Sequence, residues 1–172
     1  MAETAYISVA SNLEPERNIL EALRRLAERC RIEAISEFYV TKALDRPDQP
    51  DYLNGVIRVA GEWTPRALKF EVLRPIETAL GRVRTADKYA ARTIDLDLVL
   101  FGTQVIREPD LVVPDPEVRT RVFLAAALLD IAPDLVMPDT GEALADVADS
   151  ERAGTLLKAE AFTALLKERF LE

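Results

Sequence analysis

The 172-residue sequence predicts an α+β fold, a ferredoxin-like α/β sandwich with a mostly antiparallel sheet and extra C-terminal helices. Two observations carry that prediction. Strand-type and helix-type apolar patterns follow one another in the order β-α-β-β-α-β, and further helical patterns come only afterwards. The chain is also 49% hydrophobic, enough for one compact domain over residues 1–172 with a sizeable core.

The elements follow in order. Residues 4–10 are rich in β-branched and aromatic side chains and predict a first strand. Glu14 and Pro15 open a helix whose apolar face repeats as Ile19, Leu20, Leu23, Leu26, Ala27 and Cys30. Ile32 to Thr41 reads as a second strand. The polar segment 42–51, with Pro47 and Pro50, reads as a loop longer than a hairpin needs, a feature often tied to function. Tyr52 to Ala60 predicts a third strand, antiparallel to the second.

Thr64 and Pro65 supply an N-cap and a first-turn proline for the next helix. Its stripe is Leu68, Val72, Leu73, Ile76 and Leu80; Pro75 should kink it or split it at Arg74, and Gly81 should end it. Thr93 to Phe101 is the clearest strand, and Gln104 to Ile106 is expected to pair back on it through the turn at Phe101-Gly-Thr103. Pro114 and Pro116 stiffen a loop before a buried helix over Arg121 to Ile131. Ser150 to Phe170 reads as a helical tail that Gly154 interrupts.

Composition removes several functions. A formal charge of −8 argues against broad nucleic-acid binding, although Arg82, Arg84, Arg92 and the pair Arg119 and Arg121 suit a small anion. With no histidine there is no Ser-His-Asp triad and no histidine-held zinc or iron, so a metal must be bound by oxygen. The lone Cys30 builds no internal disulfide framework. The apolar run Val122 to Leu129 is too short to span a bilayer, and Met-Ala-Glu-Thr-Ala lacks the pattern of a signal peptide. A cytoplasmic monomer acting on small molecules, away from membranes and nucleic acid, is expected.

The chemistry concentrates in Arg92-Thr-Ile-Asp-Leu-Asp-Leu98. In a strand, Ile94, Leu96, Leu98 and Leu100 share the core face, and Asp95 and Asp97 share the other, their Cα atoms roughly 6.6 Å apart. Carboxylates so spaced suit one Mg²⁺ or two, which in turn bind substrate phosphates. The guanidinium groups of nearby arginines match phosphate oxygens. The same residues also suit a solvated acidic face with surface salt bridges. No phosphate loop of the Gly-x-x-x-x-Gly-Lys-Ser/Thr type is present.

Gly81-Arg-Val-Arg84 followed by Arg92-Thr-Ile-Asp-Leu-Asp-Leu-Val-Leu-Phe-Gly102 resembles the signature of the 6-hydroxymethyl-7,8-dihydropterin pyrophosphokinase family of folate biosynthesis. Ser11-Asn-Leu13, Asp48-Gln-Pro-Asp-Tyr-Leu-Asn54, Ile76-Glu77, Arg121-Val-Phe123 and Ile131-Ala-Pro133 resemble its other motifs in the same order, over about residues 5–140. The resemblance leaves residues 141–172 as a helical extension. It implies ATP-dependent transfer of diphosphate to the pterin hydroxymethyl group, with release of AMP. Asp95 and Asp97 would then hold two Mg²⁺ ions, and Arg82 and Arg92 would stabilise charge on the phosphates. Glu77, Arg84, Arg92 and Arg121 would seat the nucleotide. Tyr52 and Phe123 would flank the pterin and Asn54 would bind its edge, with backbone groups from Thr41 to Leu44 adding further contacts.

Four segments depart from the family pattern. Ala10-Ser-Asn-Leu13 replaces Gly-Ser-Asn-Leu, and Thr41-Lys-Ala-Leu44 replaces a prolyl segment. Tyr89-Ala-Ala-Arg92 replaces Trp-Gly-Pro-Arg, leaving Tyr89 to stack on a base. Pro114-Asp-Pro116 stands where a histidine is usual, and an ionised Asp115 would repel phosphate unless a cation or Arg119 intervenes. Asp115 and the altered loop leave room for a non-catalytic relative that binds nucleotide or pterin, or an interaction module. A nucleotidyltransferase is a further alternative, although the Gly-Ser pair of that class is absent.

Overall fold

A computed structural model of the chain describes residues 2–87 and 90–171. An antiparallel sheet runs through its centre in the order β5-β1-β4-β3-β8, with β2 also on β4. Its strands are β1 (Glu3–Ser11), β2 (Arg31–Ile35), β3 (Tyr39–Thr41), β4 (Tyr52–Gly61), β5 (Asp95–Phe101) and β8 (Leu157–Lys158). One face carries α1 (Pro15–Ala27), the helical run 65–79 and α7 (Glu160–Phe170) around Ile7, Val9, Leu23, Leu73 and Leu166. The other carries α4 (Val122–Ile131), the 3-10 turn Pro116–Arg119 and α5 (Leu144–Val147), around Val56, Val99 and Leu124. The α+β sandwich expected from the element order is present, with later helices on the second face.

The first helix begins at Pro15 as expected, entered through Glu14 at a positive φ of 43°. Cys30 lies beyond its last turn, half-buried against the core, with its thiol donating to Leu26 O at 3.3 Å. The second strand is broken where one continuous strand was expected. Ser36 interrupts it by exchanging bonds with Val56 from both its backbone N–H and its hydroxyl oxygen, and Phe38 turns inward against Phe162. Gly55 makes room for that ring, since a Cβ there would lie 2.5 Å from it.

The helix after Thr64, whose hydroxyl accepts from Ala67 N, runs on through Pro75 but changes its winding just before Arg74. Between α2 (Pro65–Ala67) and α3 (Arg74–Ala79), Leu68–Leu73 widens into a π-helical turn. Proline has no N–H to give the helical ladder, and the wider turn accommodates the interruption. Gly81, at φ 83°, ends the run as expected. Its left-handed turn lets Arg82 N–H bond back to Glu77 O at 3.0 Å.

In β5 the alternation holds from Ile94 to Leu98 and then shifts. Ile7 pairs with Leu98 and Tyr6 with Leu100, so Val99 is the extra residue of a bulge. Leu100 therefore joins the α4 side instead of sharing a face with Leu96 and Leu98. The strand expected at 104–106 does not pair with β5; β6 (Ile106–Glu108) and β7 (Leu111–Val113) form a separate hairpin. The tail is also less regular than expected. After α6 (Ser150–Ala153), β8 extends the sheet on β3 before α7 begins. Among the described residues no helix is long and apolar enough to cross a membrane.

Candidate active site

The sheet register builds the site floor. Asn54, Ala10 and Asp95 stand side by side across β4, β1 and β5, and Val56, Ser8 and Asp97 form the neighbouring row. With strands about 4.8 Å apart, Asn54 and Asp95 stand roughly 10 Å from each other across a small residue. Ser8 and Ala10 keep that interval low, and sequence reasoning gave neither a role. Above it lies a cleft of about 400 Å³ whose lining includes Lys42, Leu44, Tyr52, Arg92, Arg121 and Phe123. The guanidinium of Arg121 sits over the Phe123 ring, 5.0 Å from its centroid. Asn54 donates to Thr41 Oγ1 at 2.6 Å, which holds its amide in place; Thr41 itself is not among the lining residues. Burial pushes the Tyr52 phenol up.

Asp95 is enclosed by arginine. Its two oxygens accept from Arg82 at 2.5 Å and from Arg92 at 2.6 Å. Arg82 reaches it because the turn at Gly81 folds it back over the helix end, where it also donates to Glu77 at 2.7 Å. Glu77 is buried beneath both, accepting from Arg84 at 2.6 Å and from Leu96 N at 3.0 Å. Burial raises its carboxyl from the ordinary value, against the pull of Leu96 N–H and the two arginines. Glu77 and Arg84 thus meet each other, and neither is among the lining residues of the Tyr52 cleft.

Asp97 has the opposite surroundings. Burial and the nearby charges of Asp95, Asp115, Glu77 and Glu117 push its carboxyl well above the usual range. No hydrogen bond or ion pair reaches its carboxylate among the described residues. A half-buried oxygen donor among acids, beside one held by arginines, fits a hard divalent cation. Those residues do not by themselves form a three-carboxylate cage, so remaining ligands would come from water or substrate.

Asp97 also lines a second cleft of about 380 Å³, on the far side of β5, with Lys69, Arg74, Leu98, Asp110, Leu111 and Asp115. Sequence reasoning gave Lys69 no role and named Arg74 only as the point where Pro75 should split its helix. Asp115 accepts from Glu117 N at 2.9 Å and caps the 3-10 turn. Arg119 does not compensate it, because its guanidinium is bound to Asp139 at 3.0 and 3.1 Å. Tyr89, expected to stack on a base, lies outside the described residues.

Comparison with known proteins converges on one family. The sequence model described as 7,8-dihydro-6-hydroxymethylpterin-pyrophosphokinase (HPPK) matches residues 6–133. The 2-amino-4-hydroxy-6-hydroxymethyldihydropteridine pyrophosphokinase of Haemophilus influenzae is 37% identical over 140 residues, 80% of this chain and 86% of that protein. Its Pseudomonas aeruginosa counterpart is 39% identical over 143 residues, 81% and 86% of the two chains. Among solved structures, an HPPK-DHPS protein in complex with substrates aligns with a TM-score of 0.65 at 14% identity, covering 99% of this chain and 45% of the other. Wild-type Plasmodium falciparum HPPK-DHPS aligns with a TM-score of 0.62 at 12% identity, covering 99% and 46%. This chain spans less than half of those two solved chains, and the likeness to them is one of fold.

Proposed function

The chain belongs to the 7,8-dihydro-6-hydroxymethylpterin-pyrophosphokinase family, and on that premise we propose that it transfers diphosphate from ATP to the hydroxymethyl group of 6-hydroxymethyl-7,8-dihydropterin, releasing AMP, in folate biosynthesis. The observation that carries this reading is that Asp97 lines both clefts. A flat acceptor in one and a nucleotide in the other meet over the same carboxylate.

Tyr52 and Phe123 flank the pterin, and Asn54, held by Thr41, binds its edge. The Lys42 to Leu44 backbone closes the cleft on the loop side. Asp95 and Asp97 would hold Mg²⁺, two ions in this reading, which would supply neutralisation of phosphate charge. The pterin alcohol oxygen attacks the β-phosphorus, the bond from that phosphorus to the α,β-bridging oxygen breaks, and AMP leaves with the bridging oxygen. The alcohol proton passes to solvent. Arg82 and Arg92 stabilise charge on the transferring group, which needs positioning more than a strong base. Glu77 acts beneath them, orienting Arg82 and Arg84 toward the nucleotide, and Arg121 closes the opposite wall.

Asp115 favours a second reading, in which the protein binds nucleotide and pterin but turns over slowly, because its carboxyl lines the nucleotide cleft and Arg119 is engaged elsewhere. The protein mixed with ATP, Mg²⁺ and 6-hydroxymethyl-7,8-dihydropterin tests both. Pterin-dependent AMP supports diphosphate transfer; pyrophosphate release in its place points to nucleotidyl transfer. No AMP above background at high protein concentration sinks the kinase reading. The proposal extends to a single-domain cytoplasmic monomer, which light scattering of the purified chain tests for size.

A further inference from the structure

Asp95 and Asp97 differ in what supports them. Both oxygens of Asp95 accept from arginine, at 2.5 Å from Arg82 and 2.6 Å from Arg92. No hydrogen bond or ion pair reaches the Asp97 carboxylate among the described residues. A carboxylate that holds a metal is ordinarily held in turn by a hydrogen bond from the protein, which fixes its orientation. Asp95 has that support before any cation arrives; Asp97 lacks it.

The sheet register places one donor beside Asp97. Ser8 of β1 is its direct partner across the strands, and on the other side Ser8 faces Val56 of β4. Ile7 and Val9 belong to the core that α1 covers, so Ser8 and Asp97 project together from the opposite face, where both line the Tyr52 cleft. Directly opposed residues carry their Cβ atoms about 4.5–5.5 Å apart, and a seryl hydroxyl rotates to suit such a neighbour. Val56 is fully buried and apolar, so its side chain offers no acceptor. Ser8 is half-buried, and its hydroxyl has no hydrogen-bond partner among the described residues.

We propose that Ser8 is a positioning residue of the metal site, its hydroxyl donating to the Asp97 carboxylate and fixing it for the cation. This rests on the assignment of Asp97 to Mg²⁺ in the proposed function. Ser8 does for Asp97 what Arg82 and Arg92 do for Asp95, without adding a positive charge. A lysine or arginine in its place would pair with Asp97 and compete with the cation for it.

Melting of the full-length chain across a Mg²⁺ series, with no nucleotide or pterin present, tests this. Each variant is scored by the Mg²⁺ needed to raise its melting temperature a fixed amount above its own value in EDTA. Ser8→Ala should need about tenfold more Mg²⁺ than the parent, and Ser8→Thr, which keeps the hydroxyl, no more than about threefold. A merely structural serine would shift the melting temperature in EDTA and leave the Mg²⁺ requirement unchanged, which overturns the proposal. Equal loss in the alanine and threonine variants also overturns it, because the hydroxyl is then not what matters. A parent indifferent to Mg²⁺ overturns it together with the metal assignment. Pterin-dependent AMP release is scored separately. A parent that releases no AMP but shows the Ser8-dependent response to Mg²⁺ sinks only the reaction, and an active parent whose Ser8→Ala variant needs no more Mg²⁺ sinks only the role of Ser8.

Discussion

Asn12 Oδ1 accepts a 2.8 Å hydrogen bond from the backbone N–H of Arg92, while Asn12 and Leu13 donate their own N–H groups to Arg92 O. The other end of the same amide donates to Gln49 Oε1 at 3.1 Å and Pro50 O at 3.3 Å. One buried side chain thus ties the loop 42–51 to the residue that binds Asp95. It lies two residues after Ala10, so the site floor and both loops share one anchor.

Asn12→Ala removes all three side-chain bonds and leaves Arg92 N–H without its acceptor. A buried donor stranded in this way costs about 1–3 kcal/mol. Urea denaturation should show a loss in that range. Turnover should fall by more than tenfold, since Arg92 loses its backbone anchor. Asn12→Asp keeps an acceptor and should retain more activity; equal turnover in the two variants would remove the anchoring role.

The loops on either side of the site also meet directly. Arg46 donates to Asp87 at 2.6 Å, both side chains being partly exposed. An exposed pair of this kind is worth about 0–1 kcal/mol, so it biases the loops without locking them. Hydrogen exchange in segments 42–51 and 82–87 should slow when nucleotide and pterin are added together. Unchanged protection in both segments counts against closure over the reactants.

Gly55→Ala tests the break between β2 and β3. The added methyl would meet the fully buried Phe38 ring at 2.5 Å. Overpacking of that size costs about 1–3 kcal/mol. A Phe38→Leu change in the same chain should recover part of it, which thermal unfolding of the single and double variants measures.

What could be read in advance was local. Asp95 and Asp97 sharing a strand face, Pro15 opening a helix and Gly81 closing one each depend on a few neighbouring residues. Ser8 and Ala10 became part of the site only through the pairing of three strands, a register that no local pattern states. The break at Ser36 depends on Val56, twenty residues away, and the pairing of β8 depends on β3, more than a hundred residues earlier. The Val99 bulge reversed Leu100 because period-two reasoning assumes an uninterrupted ladder. Pro75 was correctly marked as a disturbance; its resolution as a wider turn was not.

The two aspartates, alike in sequence, should respond to substitution with opposite signs. Asp95 neutralises Arg82 and Arg92, both partly withdrawn from water. Asp95→Asn leaves two guanidinium groups short of their partner and should destabilise the metal-free protein, by about 1–3 kcal/mol. Asp97 is half-buried among acids, and no hydrogen bond or ion pair reaches its carboxylate among the described residues. Asp97→Asn removes a charge that four neighbouring acids oppose and that Lys69 and Arg82 offset in part, so the metal-free protein should become more stable by about 1–2 kcal/mol. Turnover should vanish in both, because each carboxylate is needed once substrate and cation are present. Added Mg²⁺ should raise the melting temperature of the parent and do little for Asp97→Asn. Chemical denaturation in EDTA measures the two stability changes, thermal unfolding with and without Mg²⁺ measures the metal effect, and AMP release measures turnover. If Asp97→Asn were destabilising in EDTA and the parent indifferent to Mg²⁺, Asp97 would be a structural carboxylate and its assignment to the metal would fail.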